Sequence, residues 1–118
     1  MKVMLIEDET PIRENIIEML ELKSIETLGV KNGKIALTQL ELFLPDIILC
    51  DLMMPEMNGL EFLEHLKASD KHKYIPLIFI SARAETTEKE KALALGASDF
   101  ITKPFLFKDI FEKLLKYS

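Results

Sequence analysis

Four stretches of the chain set a polar, chemically capable side chain directly after an apolar run. Val3–Ile6 leads into Glu7-Asp8-Glu9, Ile47–Cys50 into Asp51, Leu77–Ile80 into Ser81, and Phe100-Ile101 into Thr102-Lys103-Pro104. Two like charges about 4 Å apart repel by roughly 4 kcal/mol at an effective dielectric of 20. Carboxylates that converge therefore raise a pKa or recruit a cation. Hard oxygen donors suit Mg²⁺ or Mn²⁺, and a lysine at the same place complements the acids. The chain offers no His/Cys cluster of the kind that holds zinc. His65 and His72 fall in a polar helix and the loop after it and read as solvated, and Cys50 reads as a small core residue.

Each of these groups alone has an ordinary explanation. Glu7, Asp8 and Glu9 favour the N-terminus of a following helix through its dipole. Asp51 can cap a turn, Ser81 can open a helix, and Lys103 can be a surface lysine. A shared site requires elements that bring them to one place.

The pattern supplies such elements. Five short apolar runs, Val3–Ile6, Ile25–Val30, Ile47–Cys50, Leu77–Ile80 and Phe100-Ile101, alternate with helical spacing. Short runs rich in β-branched residues suit parallel strands covered on both faces. Thr10-Pro11 reads as an N-cap followed by proline at the first helical position, with Ile12, Ile16, Met19 and Leu20 on one face. Asn32 caps a second helix with Ala36, Leu37, Leu40 and Leu44 inward. Asn58 opens a third with Phe62, Leu63 and Leu66 apolar. Thr87 and Glu90 suggest a capping box for a fourth helix, which has the thinnest apolar stripe and which Gly96 ends. Phe107, Ile110, Phe111, Leu114 and Leu115 mark the fifth. The expected fold is α/β: a single doubly wound (βα)₅ domain over residues 1–118. In such a sheet, functional groups collect beyond the carboxyl ends of the strands.

Composition limits the alternatives. The 118 residues carry 48% hydrophobic and 30% charged side chains and a formal net charge of −5, an ordinary globular balance. That charge argues against nucleic-acid contact by this segment, because phosphate binding needs clustered Lys and Arg. No apolar run approaches the ~20 residues that span a bilayer, so no membrane partner is expected. Met1 leads into a strand without a signal-peptide pattern, and the lone Cys50 suits a reducing cytoplasm.

The motifs "LIEDE" (5–9), "DLMMPEMNG" (51–59), "ISA" (80–82) and "GASDFITKPF" (96–105) together resemble the response-regulator receiver domain of two-component phosphorelay systems, of the chemotaxis-regulator kind. The resemblance covers the whole chain. It implies the flavodoxin-like strand order 2-1-3-4-5. It also implies that Asp51 is the phosphoacceptor, assisted by Ser81 and Lys103. Mg²⁺ would be held by Asp8, Asp51 and the backbone carbonyl of Met53, with Glu7 acting through water. Ser81 and Phe100 would form the switch, and the Lys103–Pro104 bond would be cis. The implied partners are a sensor histidine kinase or phosphotransfer protein and an unknown output domain or effector. The domain would not be an enzyme but would assist its own Mg²⁺-dependent phosphorylation. Met53 and Arg83 would flank the path of the hydrolytic water and imply slow dephosphorylation. Departures from the common pattern are Glu at 7, Ser at 81 and Phe at 100. "GASDF" and the Arg-free fifth helix match poorly the dimer pattern of DNA-binding winged-helix regulators.

Three alternatives fit worse. A receiver-like interaction module that is never phosphorylated would lack the aspartate or the lysine, and both Asp51 and Lys103 are present. Phosphatases of the haloacid-dehalogenase type need a second acid two residues after the nucleophile, where this chain has Met53. A nucleotide or flavin binder needs a Gly-rich phosphate loop. There is no GxGxxG or GxxxxGK[ST], and the first strand–helix loop, "EDETP", is acidic.

Overall fold

The computed structural model describes residues 1–82 and 86–118. Strands and helices alternate: β1 (Lys2–Ile6), α1 (Thr10–Leu22), β2 (Glu26–Val30), α2 (Gly33–Phe43), β3 (Ile47–Asp51), α3 (Gly59–Ala68), β4 (Leu77–Ser81), α4 (Thr86–Ala94), β5 (Asp99–Thr102) and α5 (Phe107–Tyr117). The strands form one parallel sheet in the order β2-β1-β3-β4-β5. Fold class and strand order are those expected.

Strand side chains alternate between the two faces, and the period of two sorts the apolar runs by parity. Met4, Ile6, Ile48, Cys50, Leu77, Phe79 and Phe100 share one core with Ala36 and Leu40 of α2, Phe62, Leu63 and Leu66 of α3, and Ala92 of α4. Val3, Leu5, Ile47, Leu49, Ile78, Ile80 and Ile101 share the other with Ile16 and Leu20 of α1 and Ile110 and Leu114 of α5. A doubly wound sheet thus has two cores, and each central strand serves both.

Helix ends follow local chemistry. Asn32 accepts from the Ile35 amide at 2.9 Å. Asn58 and Glu61 form a reciprocal capping box, with bonds of 2.9 and 3.2 Å. Gly96, at φ +111°, closes α4 in a Schellman arrangement: its amide donates to Leu93 and that of Ala97 to Ala92, both at 3.1 Å.

Several expectations are corrected. The N-cap of α1 is Glu9, not Thr10. The first helical N–H groups need no intrahelical partner, so Pro11 is tolerated one position further in. Thr87 lies inside α4, which already includes Thr86. Its Glu/Lys/Ala run contains no breaker to delay the helix. Leu44 does not face inward: α2 ends at Phe43, and Leu44 turns left-handed (φ 51°) and is exposed. Leu115 is likewise exposed, because Ile110 and Leu114 already fill the buried face of α5. His72 is not solvated. It is buried, and its Nδ1 lies 3.2 Å from the Ser69 hydroxyl in the turn that ends α3.

Candidate functional site

Register carries the polar groups to one edge. β1 pairs with β3 up to Ile6↔Cys50, so the next step sets Glu7 beside Asp51. β4 pairs with β5 up to Ser81↔Thr102, and Lys103 follows. Parity then decides the face. Glu7, Asp51 and Lys103 continue the side of Leu5, Leu49 and Ile101, toward α1 and α5. Ser81 continues the side of Phe79 and Phe100, toward α3 and α4.

The side chains meet as this predicts. One carboxylate oxygen each from Glu7, Asp8 and Asp51 lies within 4.8 Å of the others. Lys103 Nζ donates to Glu7 Oε1 at 2.8 Å and to Asp51 Oδ2 at 3.2 Å. The Met53 amide donates to Asp51 Oδ1 at 3.1 Å, so both oxygens of Asp51 are oriented. The Glu9 amide donates to Glu7 Oε2 at 3.2 Å. Glu7, Asp51 and Ser81 are buried, and Asp8 is half-buried. The Lys103–Pro104 peptide is cis, and the Lys103 amide donates to the Ser81 carbonyl at 2.8 Å. Beside these groups lies a cleft of about 310 Å³ lined by Glu9, Ile12, Asp51, Met53, Ser81, Ala82 and Lys103.

Burial pushes the Glu7 carboxyl up to about 7. The Lys103 hydrogen bond opposes that rise, and neighbouring Asp51 adds to it. Burial alone would lower the Lys103 ammonium, but its bond to Glu7 and the charges of Asp51 and Glu7 outweigh it and raise the pKa. The Cys50 thiol is pushed well up by burial and by the same two carboxylates, so it is not a thiolate nucleophile. The clustered donors are all carboxylate oxygens with a lysine beside them. This chemistry fits a hard divalent cation that keeps some of its waters, and it does not fit zinc.

The structure brings together Glu7, Asp8, Asp51, Ser81 and Lys103, with the Met53 backbone beside them. The Met53 side chain is exposed and leaves the cluster. Phe100 lies outside it, buried on β5 beside Phe79 of β4. Arg83 lies outside the described residues. Met54 is in the core, and Met57 packs against Gly33 of α2. Two further residues near the site, Arg13 and Gly59, were assigned no role from the sequence. Arg13 donates to the Glu7 carbonyl at 2.7 Å. A Cβ on Gly59 would stand 2.6 Å from the Asp51 carbonyl oxygen.

A parallel sheet of this order, with carboxylates and a lysine meeting at its carboxyl edge, defines a flavodoxin-like α/β domain with an acidic cleft. The family model for the response regulator receiver domain matches residues 3–115. The chain belongs to that family, the receiver domains of two-component signalling. It is 34% identical over 113 residues to the phosphate regulon transcriptional regulatory protein PhoB of Escherichia coli, covering 96% of this chain and 49% of that one. The chain thus spans about half the length of the curated relatives it matches. Among solved structures, the signal receiver domain of a signal transduction histidine kinase from Syntrophus aciditrophicus superimposes with a TM-score of 0.90 at 30% identity, over 98% of this chain and 88% of that one. A chemotaxis protein of Vibrio cholerae superimposes with a TM-score of 0.94 at 25% identity, over 99% and 98%. Among the described residues, no helix is long and apolar enough to cross a membrane.

Proposed function

We propose that residues 1–118 form one receiver domain in which Asp51 accepts a phosphoryl group from a phosphohistidine of a sensor kinase or phosphotransfer protein in the cytoplasm. The observation that carries this reading is the pair of Lys103 bonds, 2.8 Å to Glu7 and 3.2 Å to Asp51, beside a three-carboxylate cluster that opens on a cleft. A carboxylate oxygen of Asp51 forms the new P–O bond. The P–N bond breaks, and its electron pair returns to the imidazole of the donor. The Met53 amide and Lys103 hold the carboxylate, and Lys103 stabilises charge on the phosphoryl oxygens. Asp8, Asp51 and the Met53 carbonyl would hold Mg²⁺ or Mn²⁺, with Glu7 acting through water, and the cation would offset repulsion between Asp51 and the incoming group. This segment has no role in nucleic-acid contact. Its net charge of −5 supports that.

The reading is tested by intact-mass measurement after incubation with acetyl phosphate. The expected result is a single added phosphoryl group with Mg²⁺ and none with excess chelator. Labelling that survives chelation would overturn the cation's role.

The output surface in this proposal is that of α4, β5 and α5, which controls an effector or a further domain. Ser81 shares a sheet face with Phe100 and α4, and Ala92 is the only buried α4 side chain among the described residues. An element so lightly packed is readily displaced. A phosphoryl group on Asp51 adds strong acceptor oxygens toward which Ser81 turns, and Phe100 follows into the space beside β4. Ser81→Ala should accept phosphate yet lose most of the downstream change. Amide NMR with beryllofluoride checks this: equal shifts in β5 and α4 for wild type and variant would remove Ser81 from the coupling.

A further inference from the structure

Glu7 is the first residue past the β1 ladder, yet its backbone is held on both sides. Its amide donates to the Val30 carbonyl of β2 at 3.0 Å. Its carbonyl accepts from Arg13 Nη1 at 2.7 Å, while Arg13 Nη2 donates to Thr10 Oγ1 at 3.3 Å. The Arg13 stem lies across Gly29 of β2, where a Cβ would come within 3.2 Å of Arg13 Cγ and 2.5 Å of Ile17 Cδ1. The guanidinium is thus braced by α1 below and β2 beside it.

The carbonyl that Arg13 holds belongs to the peptide joining Glu7 to Asp8. That unit is planar, so fixing its oxygen fixes the plane from which the Asp8 backbone continues. The Glu7 side chain has independent restraints from Lys103 and the Glu9 amide. Arg13 restrains the peptide before Asp8, as the Glu9 amide's bond to Glu7 restrains the peptide after it, and Arg13 does so through a main-chain oxygen. Its hydrogen bond therefore uses no carboxylate oxygen of the cluster.

We propose that Arg13 is a positioning residue which, by clamping the Glu7–Asp8 peptide, sets Asp8 against Asp51 in the geometry a divalent cation requires. The inference rests on the cation site proposed above. It competes with a simpler role, in which Arg13 only adds positive charge near the acids. The two roles predict opposite signs. Loss of a clamp loosens the site and weakens binding, whereas loss of a nearby cation strengthens the attraction for a metal.

The experiment is titration of Mn²⁺ into the whole chain, followed by electron paramagnetic resonance of the free ion and by calorimetry. Arg13→Met keeps the stem over Gly29 and loses the donors. Its Kd should rise about tenfold, the scale of lost outer-shell support at metal sites. Arg13→Lys keeps a donor and the charge and should recover most of the affinity. Melting in chelator should show both variants folded. Should Arg13→Met not fold, Gly29→Ala gives an independent reading, since its methyl crowds the Arg13 stem from the β2 side and should also raise Kd. Unchanged or tighter Mn²⁺ binding in Arg13→Met or Gly29→Ala, with normal binding in wild type, would overturn the proposal and leave the cation site standing. A wild-type chain that binds no Mn²⁺ would remove both.

Discussion

Asp51→Asn should take up no phosphoryl group under conditions in which the wild-type chain takes up one. The amide has nearly the shape of the carboxylate but is neutral, so it is a poor nucleophile and a weak cation ligand. Its carbonyl oxygen can still accept from the Met53 amide, as Oδ1 does at 3.1 Å. Lys103 keeps its shorter bond, to Glu7. The variant also has one fewer carboxylate in a cluster where three lie within 4.8 Å, which relieves like-charge repulsion. Its melting temperature without metal should therefore equal or exceed that of wild type. Intact mass and thermal denaturation check the two halves together. Undiminished labelling would assign the phosphoacceptor elsewhere, and an unfolded variant would show that Asp51 is needed for the fold itself.

The second large effect is expected at a residue with no side chain. A methyl at Gly59 would meet the Asp51 carbonyl oxygen at 2.6 Å, Phe79 Cε1 at 2.7 Å and Leu52 Cα at 2.9 Å. Two of these atoms are backbone, and the third belongs to a ring with no exposure. None is a flexible end that can swing away. The Gly59 amide also donates to the Leu52 carbonyl at 2.9 Å, which draws the start of α3 onto the end of β3. Overpacking of this kind typically costs about 1–3 kcal/mol, and the rigid neighbours place Gly59→Ala at the upper end. Because the displaced atoms include the backbone of Asp51, phosphoryl uptake should slow as well. Denaturant unfolding and labelling rate measure the two losses. A midpoint within error of wild type would show that α3 can shift outward without disturbing β3.

Much of this architecture is legible in the residues, and the reason is local. An apolar run with no polar interruption, such as Ile47–Cys50, must be buried on both faces, so it reads as a central parallel strand. The polar residue that ends it then lies at the edge, as Glu7, Asp51 and Ser81 do, and Lys103 follows one residue after Thr102. Asn32 and Asn58 were legible as caps because their side chains bond within three residues. What escaped is tertiary. Arg13 looks like any helical arginine until Glu7 and Gly29 are placed beside it. Gly59 looks like a helix-entry glycine until β3 and Phe79 close around it. His72 has the type and spacing of a surface loop residue, and only the packing of the α3–β4 turn buries it. Leu44 and Leu115 extend an apolar stripe whose buried length is set by where the helix or its groove ends, which the stripe alone does not record.

The bond between Lys103 and Glu7 joins residues 96 positions apart in the chain. Every strand from β1 to β5 must be in register before that contact exists, apart from edge strand β2. A chain being synthesised carries Glu7, Asp8 and Asp51 long before Lys103 emerges, and until then the acids have no lysine among them. The cluster is therefore completed only when β5, the fifth strand of this sheet, has been made. On the reading proposed above, copies cut short before β5 would take up no phosphoryl group, and uptake would count only molecules that have finished folding.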